Sequence, residues 1–114
     1  MPKRLSVKNA QLIKKHFYIL KTLKKVDKRQ RLKILKNAPN TLFKVLDIIF
    51  RHCITGVIPL DSKQLKQHRK FMKANSNKPI SAIKKRLIQE GGAFPLLLSG
   101  LIPIIGSLLS KVLK

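Results

Sequence analysis

Apolar positions recur at helical spacing through most of this chain. In residues 8–25, Leu12, Ile13, His16, Phe17, Ile19, Leu20 and Leu23 share one face, while Lys14, Lys15, Tyr18, Lys21, Thr22 and Lys25 share the opposite one. The pattern predicts a first helix over 8–25. Asp27 is placed to cap a second, shorter helix that ends near Lys36, with Leu32 and Leu35 inward. Asn37-Ala38-Pro39-Asn40 then breaks the chain. Asn40 or Thr41 starts the most hydrophobic helix of this part. Leu42, Phe43, Val45, Leu46, Ile49, Phe50, Cys53 and Ile54 cover well over half of its surface, and Lys44, Asp47 and Arg51 form a thin polar strip. A helix that apolar belongs at the centre, with the others around it. Gly56 is its expected stop, followed by a short extended connection over 57–60.

Asp61 with Gln64 makes a capping-box pattern for a fourth helix running to Ala74. Its inward set is Leu65, His68, Phe71 and Met72; its outward set is Lys63, Lys66, Arg69, Lys70 and Lys73. After a break at 75–79, Ser81 is placed to cap a fifth helix to Glu90, with Ile83 and Leu87 inward and Lys84, Lys85 and Arg86 outward. No stretch alternates at period two for long, and no Asn-Gly or Asp-Gly hairpin turn occurs. The expected class is all-α: a compact bundle of four to five short basic helices, plus a C-terminal amphipathic apolar helix hinged at Gly91-Gly92. Residues 1–90 would form the basic helical domain and 91–114 the apolar tail.

The tail changes character at once. From Ala93 to Ser110 no side chain is charged, although more than one residue in five of the whole chain is Lys or Arg. On a helical projection Ser99, Gly100, Pro103, Gly106, Ser107, Ser110, Lys111 and Lys114 fall on one side. Leu97, Leu98, Leu101, Ile102, Ile104, Ile105, Leu108, Leu109, Val112 and Leu113 cover the other, and Leu96 intrudes on the polar side. Pro103 removes one backbone donor and is expected to kink the helix. About 18 uncharged residues make roughly 27 Å of helix, the lower limit for crossing a bilayer. The tail therefore suits an interface better than a stable span. Its expected membrane-facing residues are Phe94, Leu97, Leu98, Leu101, Ile102, Ile104, Ile105, Leu108, Leu109 and Val112. Two other uses fit the same pattern: a helix that closes the core, or a segment that docks in a partner's groove.

Charge supplies the partner class. The chain has 114 residues and a net charge of +22. Without Lys111 and Lys114, residues 1–92 still carry about +20. Such a density repels itself and calls for a polyanion. Nucleic acid comes first and an anionic membrane surface second. Lysine outnumbers arginine, and a lysine acts on phosphate as a point charge. No helix-turn-helix or zinc-finger signature appears for reading bases, and there is no aromatic platform for stacking them. The expectation is sequence-tolerant binding of backbone phosphates by Lys14, Lys21, Lys25, Lys28, Arg29, Arg31, Lys63, Lys66, Arg69, Lys70, Lys73, Lys84, Lys85 and Arg86. Residues 24–31 also read as a nuclear-import cluster.

Little in the chain points to catalysis. The acids Asp27, Asp47, Asp61 and Glu90 sit where capping and charge balance account for them. His16, His52 and His68 are far apart in sequence and read as packed or partly solvated side chains. Cys53, the only cysteine, lies on the apolar face of the central helix and reads as a buried, inert thiol. A single cysteine permits no internal disulfide, which fits a reducing compartment. The start, Met1-Pro2-Lys3-Arg4, has no signal-peptide core. No phosphate-binding loop, nucleophile elbow or metal-ligand spacing is present, so neither enzyme activity nor a cofactor is expected.

The order of these pieces resembles a known group. A small lysine-rich helical domain has its central helix ending in Thr55-Gly56-Val57-Ile58-Pro59-Leu60. It leads through Lys84-Lys85-Arg86-Leu87-Ile88-Gln89-Glu90 to Gly91-Gly92-Ala93-Phe94-Pro95-Leu96-Leu97-Leu98. This arrangement, over most of residues 32–114, resembles the short basic proteins of Polinton/Maverick elements and adintoviruses. The resemblance implies a minor virion protein, found in the virion and in the host nucleus during assembly. It also implies an adenovirus-type cysteine protease as a partner, because such proteases favour cleavage after Gly-Gly. Cutting after Gly92 would free residues 93–114. Gln89-Glu90 departs from the aliphatic residue those proteases prefer upstream, and Gly91-Gly92 serves equally well as a helix end and hinge. Residues 99–111 are similar to melittin, with a central proline kink and a basic end.

The reading that collects these features is a non-enzymatic minor virion protein. It would bind nucleic acid without sequence preference, and its apolar tail would meet a membrane or the capsid interior. Two alternatives remain: a membrane-disrupting precursor of a lytic peptide, with lysines that serve anionic lipid, and a cellular basic nucleic-acid-associated protein.

Overall fold

The computed structural model describes residues 5–60, 63–89 and 93–113. They form seven helices: α1 (Val7–Lys25), α2 (Lys28–Asn37), α3 (Asn40–Thr55), α4 (Lys63–Gln67), α5 (Arg69–Ala74), α6 (Ile80–Gln89) and α7 (Ala93–Val112). No strand occurs among the described residues, and the all-α expectation holds.

Local chemistry sets the boundaries. Ser6 caps α1 by accepting the Asn9 N–H at 3.1 Å, one residue earlier than the apolar pattern alone suggests. Asp27 caps α2 as expected, its Oδ1 accepting the Gln30 N–H at 2.9 Å. Pro39 precedes α3, and its carbonyl accepts the Leu42 N–H at 3.0 Å. Gly56 ends α3 with φ 87°, a left-handed conformation that glycine reaches without steric cost.

The fourth helix is not continuous. It divides at His68 (φ −86°, ψ 1°), where the His68 N–H reaches the Leu65 carbonyl at 3.0 Å in a tighter turn. The break lets α4 pack on α7 while α5 packs on α3. Leu65 thereby meets α7, and Phe71 meets the Phe50 ring edge-on at 6.1 Å. A periodicity count cannot see this change of direction, because both halves keep the same helical phase.

Ser81 does not cap α6. The helix already begins at Ile80, and the Pro79 carbonyl accepts the N–H groups of Ala82 and Ile83 at 3.0 and 3.1 Å. The loop before it is held from α3: Asp47 Oδ1 accepts the Asn77 N–H at 2.7 Å, with Asn77 at φ 54°. The same carboxylate pairs with Arg51 at 3.1 Å. The expected caps and hinge at Asp61, Glu90, Gly91 and Gly92, and Lys114, lie outside the described residues.

α3 is the central element, with Leu42, Phe43, Val45, Leu46, Ile48, Ile49, Phe50 and Cys53 all buried. α7 closes the core beside it. Phe94, Leu97, Leu98, Leu101, Ile102, Ile105 and Leu109 are buried in one stripe, while Ile104, Leu108 and Val112 are half-buried. The expected membrane face is therefore turned inward, against α1 and α4. The reason is hydrophobic: this wide apolar surface finds the apolar faces of α1 and α4 within its own fold. The Cα radius of gyration, 13.2 Å, matches the roughly 13 Å of a folded chain of this size, which a detached α7 would exceed. The helix continues through Pro103, whose ring lies on the exposed side.

Candidate nucleic-acid interface

The amphipathic phase of each helix decides where its lysines go. Because the apolar stripes meet at the core, Lys14, Lys21 and Lys25 of α1 are exposed, as are Lys28 and Arg29 of α2. Lys63, Lys66, Arg69, Lys70 and Lys73 line the outer side of α4 and α5, and Lys85 and Arg86 that of α6. The cations of α4 and α5 share one hollow. Lys66, Gln67, Arg69, Lys70 and Lys73 line an open hollow of about 360 Å³. Arg69 is anchored there by its guanidinium, which donates to the Ile54 carbonyl at 3.3 Å. None of the residues that line this hollow is acidic, so its charge suits anionic groups such as phosphates.

Two of the expected phosphate ligands are placed elsewhere. Arg31 is buried, 7% exposed, and engaged within the protein. It lies inside α2 on the turn that faces the core, a position that the run of basic residues around it conceals. Lys84 is half-buried. Its Nζ donates to the Lys36 carbonyl at 3.1 Å and lies 5.7 Å from the centre of the Phe43 ring. It satisfies the C-terminal end of α2, where a cation is favoured by the helix dipole.

The fold also assembles cations that no single helix reveals. Lys8 and Lys15 of α1 and Lys44 of α3 surround a hollow of about 470 Å³ with Leu12 and Ile48 among its lining. Only the packing of α1 on α3 joins them. Opposing charge is sparse. Of the two described acids, Asp27 caps α2 and Asp47 pairs with Arg51.

No family model, curated protein or solved structure matches this chain.

The polar groups inside the fold have structural partners. His16 is buried; its Nδ1 donates to the Leu12 carbonyl at 3.0 Å, and its Nε2 meets the Thr41 hydroxyl at 2.9 Å. His52 Nδ1 donates to the Ile48 carbonyl at 2.7 Å. Burial pushes the Cys53 thiol up to about 12, so it stays protonated and unreactive at neutral pH. Among the described residues no three His, Cys, Asp or Glu side chains gather as metal ligands would.

Proposed function

We propose that this protein binds the phosphate backbone of nucleic acid without reading sequence, as a non-enzymatic component of a virion interior. The observation that carries the binding reading is the acid-free hollow of Lys66, Arg69, Lys70 and Lys73, set in a chain of net charge +22. Lysine-rich helix faces offer point charges and few planar, bidentate donors, which suits phosphate contact over base-edge contact. The virion assignment, with passage through the host nucleus during assembly, rests on the resemblance of the basic–Gly-Gly–apolar order to Polinton and adintovirus proteins. An adenovirus-type protease acting after Gly92 belongs to the same proposal.

A salt titration tests the binding. If 6–10 phosphates are neutralised, affinity for any DNA duplex falls about 10³- to 10⁵-fold between 50 and 200 mM salt. Tight binding that does not change across that range would refute the reading.

A second reading is supported by α7. By length and composition, residues 94–112 are apolar enough to cross a bilayer. In this reading α7 leaves the core for a lipid interface, or docks under the capsid shell. Dye release from liposomes by peptide 93–114 and not by the full chain is the expected result. Failure of the peptide to release dye would leave α7 a core or docking helix.

A further inference from the structure

The chain contains six aromatic side chains, five Phe and one Tyr. Phe43, Phe50 and Phe94 are fully buried, and Phe17 and Phe71 are half-buried against the core. Tyr18 differs from all of them, with 80% of its surface exposed. It stands near the middle of the outer face of α1. Side chains three and four residues away on a helix are its neighbours, about 5–6 Å apart at Cβ. For Tyr18 these are Lys14, Lys15, Lys21 and Thr22. All three lysines are exposed, and Lys21 lies 5.7 Å from the Phe17 ring centre. The Thr22 hydroxyl donates to the Tyr18 carbonyl at 2.9 Å, a backbone bond that leaves the ring outside.

We propose that Tyr18 is a stacking residue for unpaired bases, and that Lys14, Lys15 and Lys21 hold the phosphates on either side of the stacked nucleotide. The inference rests on the phosphate-binding reading above and adds to it a preference for single strands. The physical basis is simple. An exposed ring buries little of its surface in the fold, but a base laid on it takes the contacting face of each out of water. A cation three or four residues away on either side reaches the flanking phosphates. In a duplex the bases are already stacked on one another, so the ring has nothing to cover and only the lysines contribute. Stacking tolerates any base, which agrees with a surface that has no base-edge readers. One ring among three lysines is a smaller platform than single-strand-binding proteins usually carry. It also escapes a search for aromatic clusters, because Tyr18 shares the polar side of a helix.

The protein supplies its own reporter. It has one Tyr and no Trp, so tyrosine emission comes from Tyr18 alone. The full chain is titrated at low salt with an unlabelled 20-nucleotide oligothymidylate and, separately, with a 20-base-pair duplex. Binding to each is measured independently by anisotropy of labelled strands. The expected result is strong quenching by the single strand and little by the duplex, with both bound. Tyr18→Ala lowers affinity for the single strand about five-fold or more and leaves duplex affinity within about two-fold. Tyr18→Phe keeps single-strand affinity because the ring remains. Unquenched emission with binding intact overturns the stacking role and leaves phosphate binding standing. Tyr18→Phe as weak as Tyr18→Ala overturns it too, since the hydroxyl would then be bonding phosphate. Absence of binding to either nucleic acid removes both proposals together.

Discussion

Leu65 of α4 occupies the space that a side chain at Gly100 of α7 would need. A Cβ at position 100 would lie 3.0 Å from Leu65 Cγ and closer still to Cδ2. Gly106, six residues further along α7, has more room; its Cβ would sit 3.7 Å from the Phe17 ring, an ordinary contact. The two glycines thus answer differently to the same substitution. Gly106→Ala should stabilise the fold by about 0.5–1 kcal/mol through helix propensity. Gly100→Ala gains the same propensity and loses about 1–3 kcal/mol to overpacking, for a net loss near 1 kcal/mol. Urea denaturation of the two variants checks the pair. A stabilised Gly100→Ala would mean that α4 does not press on α7.

Changing Lys63, Lys66, Arg69, Lys70 and Lys73 together to Gln should weaken DNA binding and reduce the salt slope by up to about 4.5, close to 0.9 per lost phosphate contact. These side chains are exposed, so the fold should tolerate the change. Arg31→Gln should do the reverse, lowering the melting temperature and leaving the slope unchanged, because Arg31 is buried. An unchanged slope in the fivefold variant would place the binding face elsewhere.

Cys53 predicts an alkaline limit. In the fold its thiol is pushed up to about 12, against 9.0 for the free group. The unfolded chain therefore loses this proton first as pH rises. The associated stability is complete below pH 9 and drains away between about 9 and 12. The measurement is the difference in stability between the wild type and Cys53→Ala as a function of pH. That difference should narrow or reverse as pH rises. In the native state a maleimide should label Cys53 slowly at pH 7, and promptly once urea unfolds the chain.

Asp47 joins two segments, through Arg51 on its own helix and through the Asn77 amide in the loop before α6. Asp47→Asn keeps a carbonyl acceptor for the Asn77 amide and gives up the ion pair, whose exposed guanidinium contributes little. Asp47→Ala removes both and should cost about 1–2 kcal/mol. Hydrogen exchange at Asn77 should accelerate in Asp47→Ala and stay near the wild-type rate in Asp47→Asn. Equal acceleration in both would make the charge, and not the acceptor, the essential feature.

Period alone foretold most of the helices, because each carries one apolar stripe and one lysine stripe. Asp27 and Gly56 were legible from single residues whose side chain, or lack of one, has a specific task at a helix end. The break at His68 was not legible, since it depends on Leu65 and Phe71 meeting different helices. The placement of Arg31 and Lys84 was not legible for a related reason: both sit in basic runs, and only tertiary packing turns them toward the core or toward a neighbouring helix end. The hollow of Lys8, Lys15 and Lys44 could not be seen at all, because its parts are brought together by α1 packing on α3. For α7 the pattern defined an apolar face and left its partner open. The fold supplies α1 and α4 as that partner.

The inward stripe of α7 sets up a competition. Phe94, Leu97, Leu98, Leu101, Ile102, Ile105 and Leu109 can be sheltered by α1 and α4 or by lipid, but not by both at once. A bilayer that took them would act on this protein as a denaturant. A polyanion has the opposite effect, since neutralising the lysines relieves the repulsion that strains the globule. If the protein takes nucleic acid as proposed, the two partners oppose each other: the loaded protein should surrender its last helix to lipid least readily, and the unloaded protein most.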